Sequence, residues 1–296
     1  MNKLKILWQF SRPHTIIGST LSILALYIIA LNGSAFSIEQ LVIVGISLIS
    51  AWGCNIYITG LNQWSDVEVD KVNKPWLPIA SGELSRPAAL NIVLVCGGIS
   101  LISAAYLSLP FLGLIASIML IGTAYSLPPL KLKRSHLAAA SAIALVRGVL
   151  INLGFYWHFQ HAFLLQNEFN PFIGSLIFFV VAFSLGIAWF KDIPDTRGDA
   201  EYSFQTLAVK TGRTGAFRAG LFVVSLAYLS VIILAAISQI PAPIFMISSH
   251  AILWGIFLFM AYRLDLTNDT SIKQFYMLFW GLFFVEYVVY ALATCI

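Results

Sequence analysis

The chain has 296 residues, of which 59% are hydrophobic and only 10% charged, with a formal net charge of +4. A soluble globular domain would carry about 25% charged residues, so this composition excludes a water-soluble enzyme and points to an integral membrane protein. Cys54, Cys96 and Cys295 lie scattered in apolar surroundings without metal-ligand spacing and read as small buried hydrophobes.

The N-terminal stretch MNKLKILWQFSR is short and basic, and the apolar run behind it lacks a small-residue cleavage pattern, so the first span is expected to stay. Nine apolar runs are long enough to cross a bilayer: residues 14–31, 40–62, 87–106, 109–128, 136–157, 171–190, 215–238, 242–262 and 274–295. Little more than SLP separates the third from the fourth. Each run must satisfy its own backbone hydrogen bonds in hydrocarbon, which makes helices of all nine. The expected fold is an all-α integral membrane bundle.

Basic residues orient it. Lys3, Lys5 and Arg12 precede the first span; Lys71, Lys74 and Arg86 follow the second; Lys131, Lys133 and Arg134 follow the fourth. Lys191, Arg197, Lys210, Arg213 and Arg218 lie at or after the end of the sixth, and Arg263 and Lys273 follow the eighth. The positive-inside rule then makes the N-terminus and these loops cytoplasmic, with the C-terminus opposite. Eight of the thirteen acidic residues share two of the basic regions: Asp66, Glu68, Asp70 and Glu83 in one, Asp192, Asp195, Asp199 and Glu201 in the other. Topology alone does not require that clustering.

The first acidic motif is NQWSDVEVD, residues 62–70. Asn62, Asp66 and Asp70 recur every four residues and share one face if the second helix continues through them. Thr59 and Asn55 extend the polar stripe into the membrane. The second motif, KDIPDTRGD, places Asp192, Asp195 and Asp199 at spacings of three and four. Pro194 inside it kinks or restarts the helix and leaves the facing of Asp192 open. Carboxylates this close raise one another's pKa unless cations sit among them. Either motif alone reads equally well as a solvated loop face paired with Lys and Arg. Two motifs at matching helix ends suit Mg2+, which takes one or two carboxylates, waters and substrate phosphates.

Basic and polar residues complete the pattern. In YSLPPLKLKR, Tyr125 and Ser126 close the fourth span, and Lys131, Lys133 and Arg134 follow the paired prolines. Such cations complement the oxygens of a diphosphate, although all three, and Lys133 first among them, also fit a purely topogenic role. Asn73 and Lys74 follow the first motif closely enough to join a phosphate site. Arg147 and Asn152 stand inside the fifth span, where an unpaired arginine costs about 3 kcal/mol and marks a functional position. His14 and Glu286 are also intramembrane and receive no role.

The pattern NQWSDVEVDKVNKPWLPIASG, YSLPPLKLKR, VRGVLINLG and KDIPDTRGD resembles the UbiA superfamily of intramembrane prenyltransferases, and within it the branch that prenylates homogentisate. SRPHT near the first span and QTLAVKTGR after the second motif extend the resemblance over most of the chain. It implies a single domain over residues 1–296, nine transmembrane helices around a central cavity with a polar cytoplasmic cap, and Mg2+ held on the diphosphate of a prenyl donor. Asn62, Asp66, Asp70, Asp192, Asp195 and Asp199 are the implied metal ligands. Asp66, Asp70, Asp195, Asp199 and Lys131 are the expected catalytic groups; Asn62, Lys74, Tyr125, Ser126, Arg134, Arg147 and Asn152 are the expected substrate contacts. Gln63 stands where many relatives have Asp, so the first motif carries fewer carboxylates here.

Ionising an allylic diphosphate develops negative charge on the leaving group, which metal and Lys or Arg stabilise, and an allylic cation that aromatic faces such as Tyr57, Trp64 and Tyr125 are positioned to shield. The expected partners are a phytyl or related prenyl diphosphate, a small aromatic acceptor (homogentisate first, with decarboxylation) and the lipid bilayer. No nucleic-acid partner is expected, and oligomeric state is open. Chlorophyllide, 4-hydroxybenzoate, dihydroxynaphthoate and haem are alternative acceptors. A transporter is disfavoured because the charges cap one side instead of meeting near the midplane.

Overall fold

The computed structural model describes residues 3–165, 171–238 and 240–296, so Met1 and Asn2 of the basic N-terminal stretch lie outside the described residues. A short helix α1 (Lys3–Phe10) precedes α2 (Pro13–Leu31), α3 (Ile38–Ser65), a short α4 (Val67–Asn73), α5 (Arg86–Leu107) and α6 (Leu109–Ser126). The second half comprises α7 (His136–Ile143), a π-helical segment (Ala144–Leu150), α8 (Ile151–Ala162), α9 (Pro171–Asp192), a short α10 (Thr196–Glu201), α11 (Leu207–Ile237), α12 (Pro243–Tyr262) and α13 (Asp269–Ala293). Counting α7 to α8 as one span, nine helices among the described residues are long and apolar enough to cross a membrane, as the hydropathy pattern predicts.

Local chemistry sets the helix ends. Ser37 and Gln40 form a reciprocal capping box at the start of α3, and Asn268 accepts from Thr270 and Ser271 at the start of α13. Ser108 ends α5 in an extended conformation while its side chain caps α6, so the two spans divide at one residue. Small residues let helices approach where lipid supplies no hydrophobic drive. Ser50 and Ser100 exchange hydroxyl-to-carbonyl bonds of 2.9 and 2.7 Å between α3 and α5. A Cβ on Gly53 at the same crossing would lie 2.5 Å from the Cys96 carbonyl oxygen. Of the cysteines, Cys54 is buried, Cys96 half-buried and Cys295 exposed beside the C-terminus, so the last departs from the expected buried role.

Two departures from straight helices shape the interior. The first motif does not ride on an unbroken helix: Asp66 leaves helical geometry (φ −112°, ψ 20°), and α4 restarts behind it. The fifth span contains the π-helical segment, a feature that recurs at functional sites because it re-aims side chains without ending the helix. Beyond it α8 packs against α2, closing the bundle below a central cavity bounded by α2, α3, α6, α9 and α13.

Candidate active site

Both acidic motifs lie at one end of the bundle, running from the ends of α3 and α9 into the short helices α4 and α10 that follow them. Pro194 ends the helical run as anticipated: α9 stops at Asp192, and α10 restarts at Thr196 behind Asp195. Asn73, after the first motif, then clips the second. Its amide oxygen accepts from Gly198 N–H at 3.1 Å, and its amide nitrogen donates to Asp199 at 3.3 Å. A Cβ on Gly198 would sit 2.2 Å from the Asn73 oxygen, so a side chain there would push Asn73 out of this clip.

Lysines interleave the carboxylates. Lys133 Nζ donates to Asp66 at 2.5 Å and to Ser65 at 2.7 Å, Lys131 lies 3.6 Å from Asp66, and Asn62 donates to Asp66 at 3.3 Å. Lys74 pairs directly with Asp195 and so joins the two motifs. Lys191 pairs with Asp192 at 3.3 Å and donates to the Tyr125 hydroxyl at 3.2 Å. Asp70 and Asp199 form no ion pair among the described residues. Burial, opposed by Lys74 and Arg12, raises the Asp70 carboxyl to about 6. Burial together with Asp192 and Asp195 raises that of Asp199 to about 7. Burial lowers Lys133 to about 8 against the pull of Asp66.

Asp70 Oδ2 is buried without a hydrogen-bond partner, and such an orphaned acceptor in an oxygen-only donor set fits a hard divalent cation. Among the described residues no three acidic, His or Cys side chains converge tightly enough to hold a metal by themselves. The arrangement therefore suits a cation that shares its coordination with a ligand's phosphate oxygens.

Below this cap a cavity of about 280 Å³ continues toward the membrane interior. Asn55, Thr59 and Asn62 line it, so the polar stripe on α3 enters as its spacing predicts. Tyr125 and Arg147 line it too. The Arg147 guanidinium lies 4.8 Å from the Trp280 ring centroid and 5.9 Å from that of Phe283, and its buried Nη1 has no acceptor. Lower down the wall is apolar, with Ile23, Ile115, Ile118 and Phe155.

Several expected residues stand elsewhere. Asn152 spends its amide on the backbone, donating to the carbonyls of Arg147 and Gly148 at 2.8 Å each and accepting from Tyr287 at 3.0 Å. It satisfies carbonyls of the π-helical segment beside Arg147 and is not among the residues that line the cavity. Arg134 is exposed, and its carbonyl accepts from Gln205 N–H at 2.8 Å, docking the chain after the second motif onto the loop after α6. Ser126 is buried outside the cavity lining. Among the aromatic candidates only Tyr125 faces the cavity: Arg86 covers the Trp64 ring at 4.9 Å, and Tyr57 bonds Thr123 at 2.8 Å while its ring packs on Gly97.

Other residues take their places. Lys133, which fitted a topogenic role, is a buried partner of Asp66. Lys191 and His14 line the cavity, and an aromatic wall of Tyr276, Trp280, Phe283 and Tyr287 comes from α13. Those four recur at spacings of four, three and four, a signal present in the sequence but hidden among many aromatic residues.

A homogentisate phytyltransferase of Synechocystis is 39% identical, with 99% of this chain and 96% of that protein aligned. A chloroplastic homogentisate solanesyltransferase of Arabidopsis thaliana is 38% identical over 96% of this chain and 75% of its own length. The solved structure of a UbiA homologue from Archaeoglobus fulgidus bound to GPP and Mg2+ superposes with a TM-score of 0.68 at 16% identity, covering 98% of this chain and 99% of that one. The sequence profile of the UbiA prenyltransferase family matches residues 19–283, and the chain belongs to that family.

Proposed function

We propose that this protein transfers a phytyl or related prenyl group from its allylic diphosphate to homogentisate, with loss of CO2 and with Mg2+ as cofactor. The observation that carries the reading is the joining of two acidic motifs by Lys74 and Asn73 above a cavity that turns from polar to apolar with depth. The relatives that act on homogentisate, and the homologue with GPP and Mg2+, support it.

Asn62, Asp66, Asp70, Asp192, Asp195 and Asp199 are the oxygen donors that would hold Mg2+. When bound, the metal supplies Lewis-acid stabilisation of the diphosphate leaving group. Lys131, Lys133, Lys74 and Lys191 surround the same space and neutralise charge on the departing oxygens. The allylic C–O bond breaks, and the electron pair leaves with diphosphate. The aromatic wall of Tyr276, Trp280 and Phe283 offers π faces to the allylic cation and keeps water from it. An acceptor ring carbon then forms the new C–C bond and loses its proton. Loss of CO2 leaves an electron pair on the side-chain carbon, which takes up one proton to become methyl, so proton release and uptake cancel.

Arg147 receives the acceptor's carboxylate. It is a charged donor in an apolar wall, and among the described residues no acid pairs with it. A carboxylate-bearing phenol supplies that acceptor, which favours homogentisate, 4-hydroxybenzoate or dihydroxynaphthoate over the macrocycles chlorophyllide and haem.

Mass spectrometry of products from purified protein, Mg2+, a panel of prenyl diphosphates and the alternative acceptors tests the activity. A prenylated, decarboxylated product from homogentisate is expected. Absence of any such product with every donor overturns the assignment. An Arg147→Gln variant is expected to raise the homogentisate KM about tenfold or more, the cost of one charge-assisted hydrogen bond.

A further inference from the structure

The cavity ends on a ring. Asn62 lines its polar end and Ala51 its deepest point on α3, eleven residues apart, which sets a depth of about 16 Å at 1.5 Å per helical residue. A bilayer core is about 30 Å thick, so the shaft stops near its middle. The obstruction is Phe155 on α8, only 2% exposed, whose ring meets that of Phe111 on α6 edge-to-face at 5.2 Å. Phe111 is held from its other side by His158, stacked at 4.0 Å, and His158 in turn lies 3.1 Å from the Ser47 hydroxyl on α3.

Beyond that pair lies a second space. A groove of about 490 Å³ runs along the seam of α6 and α8, lined by Phe111, Leu114, Gly154, Trp157 and His158. Phe155 borders the cavity and not the groove; Phe111 borders the groove and not the cavity. Two rings in contact are therefore the partition between the spaces. One turn above, the seam is closed by Leu114 seated on Gly154, where a Cβ would come within 2.5 Å of the Leu114 side chain. The α6–α8 seam is sparsely packed compared with the α3–α5 and α9–α11 seams, so this local closure carries the separation.

We propose that Phe155 and Phe111 form a plug that sets the longest donor tail the cavity encloses, and that opening it lets a longer tail continue into the groove between α6 and α8. This rests on the prenyl-donor reading above. A tail short enough to end within the shaft clears the rings, whereas solanesyl, more than twice as long as a phytyl or geranylgeranyl tail, meets them. Burying each added apolar segment favours binding, while forcing it against close-packed rings opposes binding, so the plug converts tail length into selectivity.

The test uses full-length protein in lipid nanodiscs with homogentisate and geranyl, geranylgeranyl, phytyl or solanesyl diphosphate. Wild type is expected to favour geranylgeranyl or phytyl over solanesyl in kcat/KM. Phe155→Leu and Phe111→Leu, which keep an apolar side chain, are expected to raise the solanesyl-to-geranylgeranyl ratio about tenfold or more, the discrimination a hydrophobic pocket of changed size delivers. Phe155→Trp is expected to shift preference toward geranyl. Ratios unchanged in all three variants overturn the plug. Binding of the non-reacting thiolodiphosphate analogues of the same tails is measured in parallel. Wild type that binds analogues but prenylates no acceptor loses the proposed activity, and the binding ratios still decide the plug. Binding that ignores both tail length and the variants overturns it as well.

Discussion

Lys133 shows how a side chain's meaning depends on its direction. Lys131, Lys133 and Arg134 look alike as a basic cluster, and only the left-handed turn at Lys131 (φ 38°) and the tight helical turn after it separate them. Lys133 turns inward to Asp66 and Ser65, while Arg134 remains at the surface. A Lys133→Met variant is therefore expected to lose about 3 kcal/mol of stability, since removing one partner of a buried pair leaves the other charge uncompensated. Arg134→Met is expected to change stability by less than about 0.5 kcal/mol, as an exposed substitution does. Thermal unfolding of the detergent-solubilised variants separates the two, and equal effects would contradict the inward assignment. Asp195→Ala is expected to abolish turnover, because it removes a proposed metal ligand and frees Lys74; full activity in that variant would undo the two-motif site. The acidic residues were legible as two clusters at span ends, but their facing was not legible from spacing, because the helix breaks at Asp66 in one motif and between Asp192 and Thr196 in the other. Lys74 and Lys131 were also named from the sequence, whereas the inward course of Lys133 was not, because a turn at Lys131 sets it.

At the level of elements, all nine spans could be read from hydropathy, because length and apolar content are what hydrocarbon selects. The π-helical segment could not: ALVRGVL has no proline and only one glycine, and its carbonyls are satisfied by Asn152 of the following turn, which Tyr287 from α13 holds. Its consequence is functional, because it turns Arg147 to the cavity while Gly148 lies on α9. A Cβ at Gly148 would come 2.4 Å from the Val181 side chain and 2.8 Å from its Cα, so backbone must move. Gly148→Ala is expected to destabilise by about 1–3 kcal/mol, the usual cost of overpacking, despite alanine's better helix propensity by about 1 kcal/mol. Homogentisate KM should rise with it as Arg147 shifts. A variant as stable as wild type with unchanged KM would show that α9 yields at no cost.

Across the whole molecule, charge and hydrocarbon are separated along one axis, and both ends of that separation bear on function. The proposed cytoplasmic placement of the cap predicts that exposed Cys295 reacts with an impermeant maleimide only from the opposite side, while a Lys71→Cys, Cys295→Ser double variant reacts only from the cytoplasmic side. The cap's internal balance bears on what metal removal does. Lys74, Lys131, Lys133 and Lys191 pair with Asp66, Asp192 and Asp195, and only Asp70 and Asp199 are left without an ion pair among the described residues, so much of the carboxylate charge is balanced by the chain itself. A structure that needed metal to neutralise its cap would unfold on chelation; this one should not. Chelation is expected to abolish prenyl transfer while helical content by circular dichroism stays unchanged, and added Mg2+ should restore the rate. Metal at about 100 times its Kd should add about 2.7 kcal/mol of stability by mass action, a shift in Tm without a change in fold. Transfer that persists after exhaustive chelation would remove Mg2+ from the mechanism. Loss of helical content on chelation would instead show that the lysines do not balance the carboxylates, and that the cation is part of the fold as well as of the chemistry.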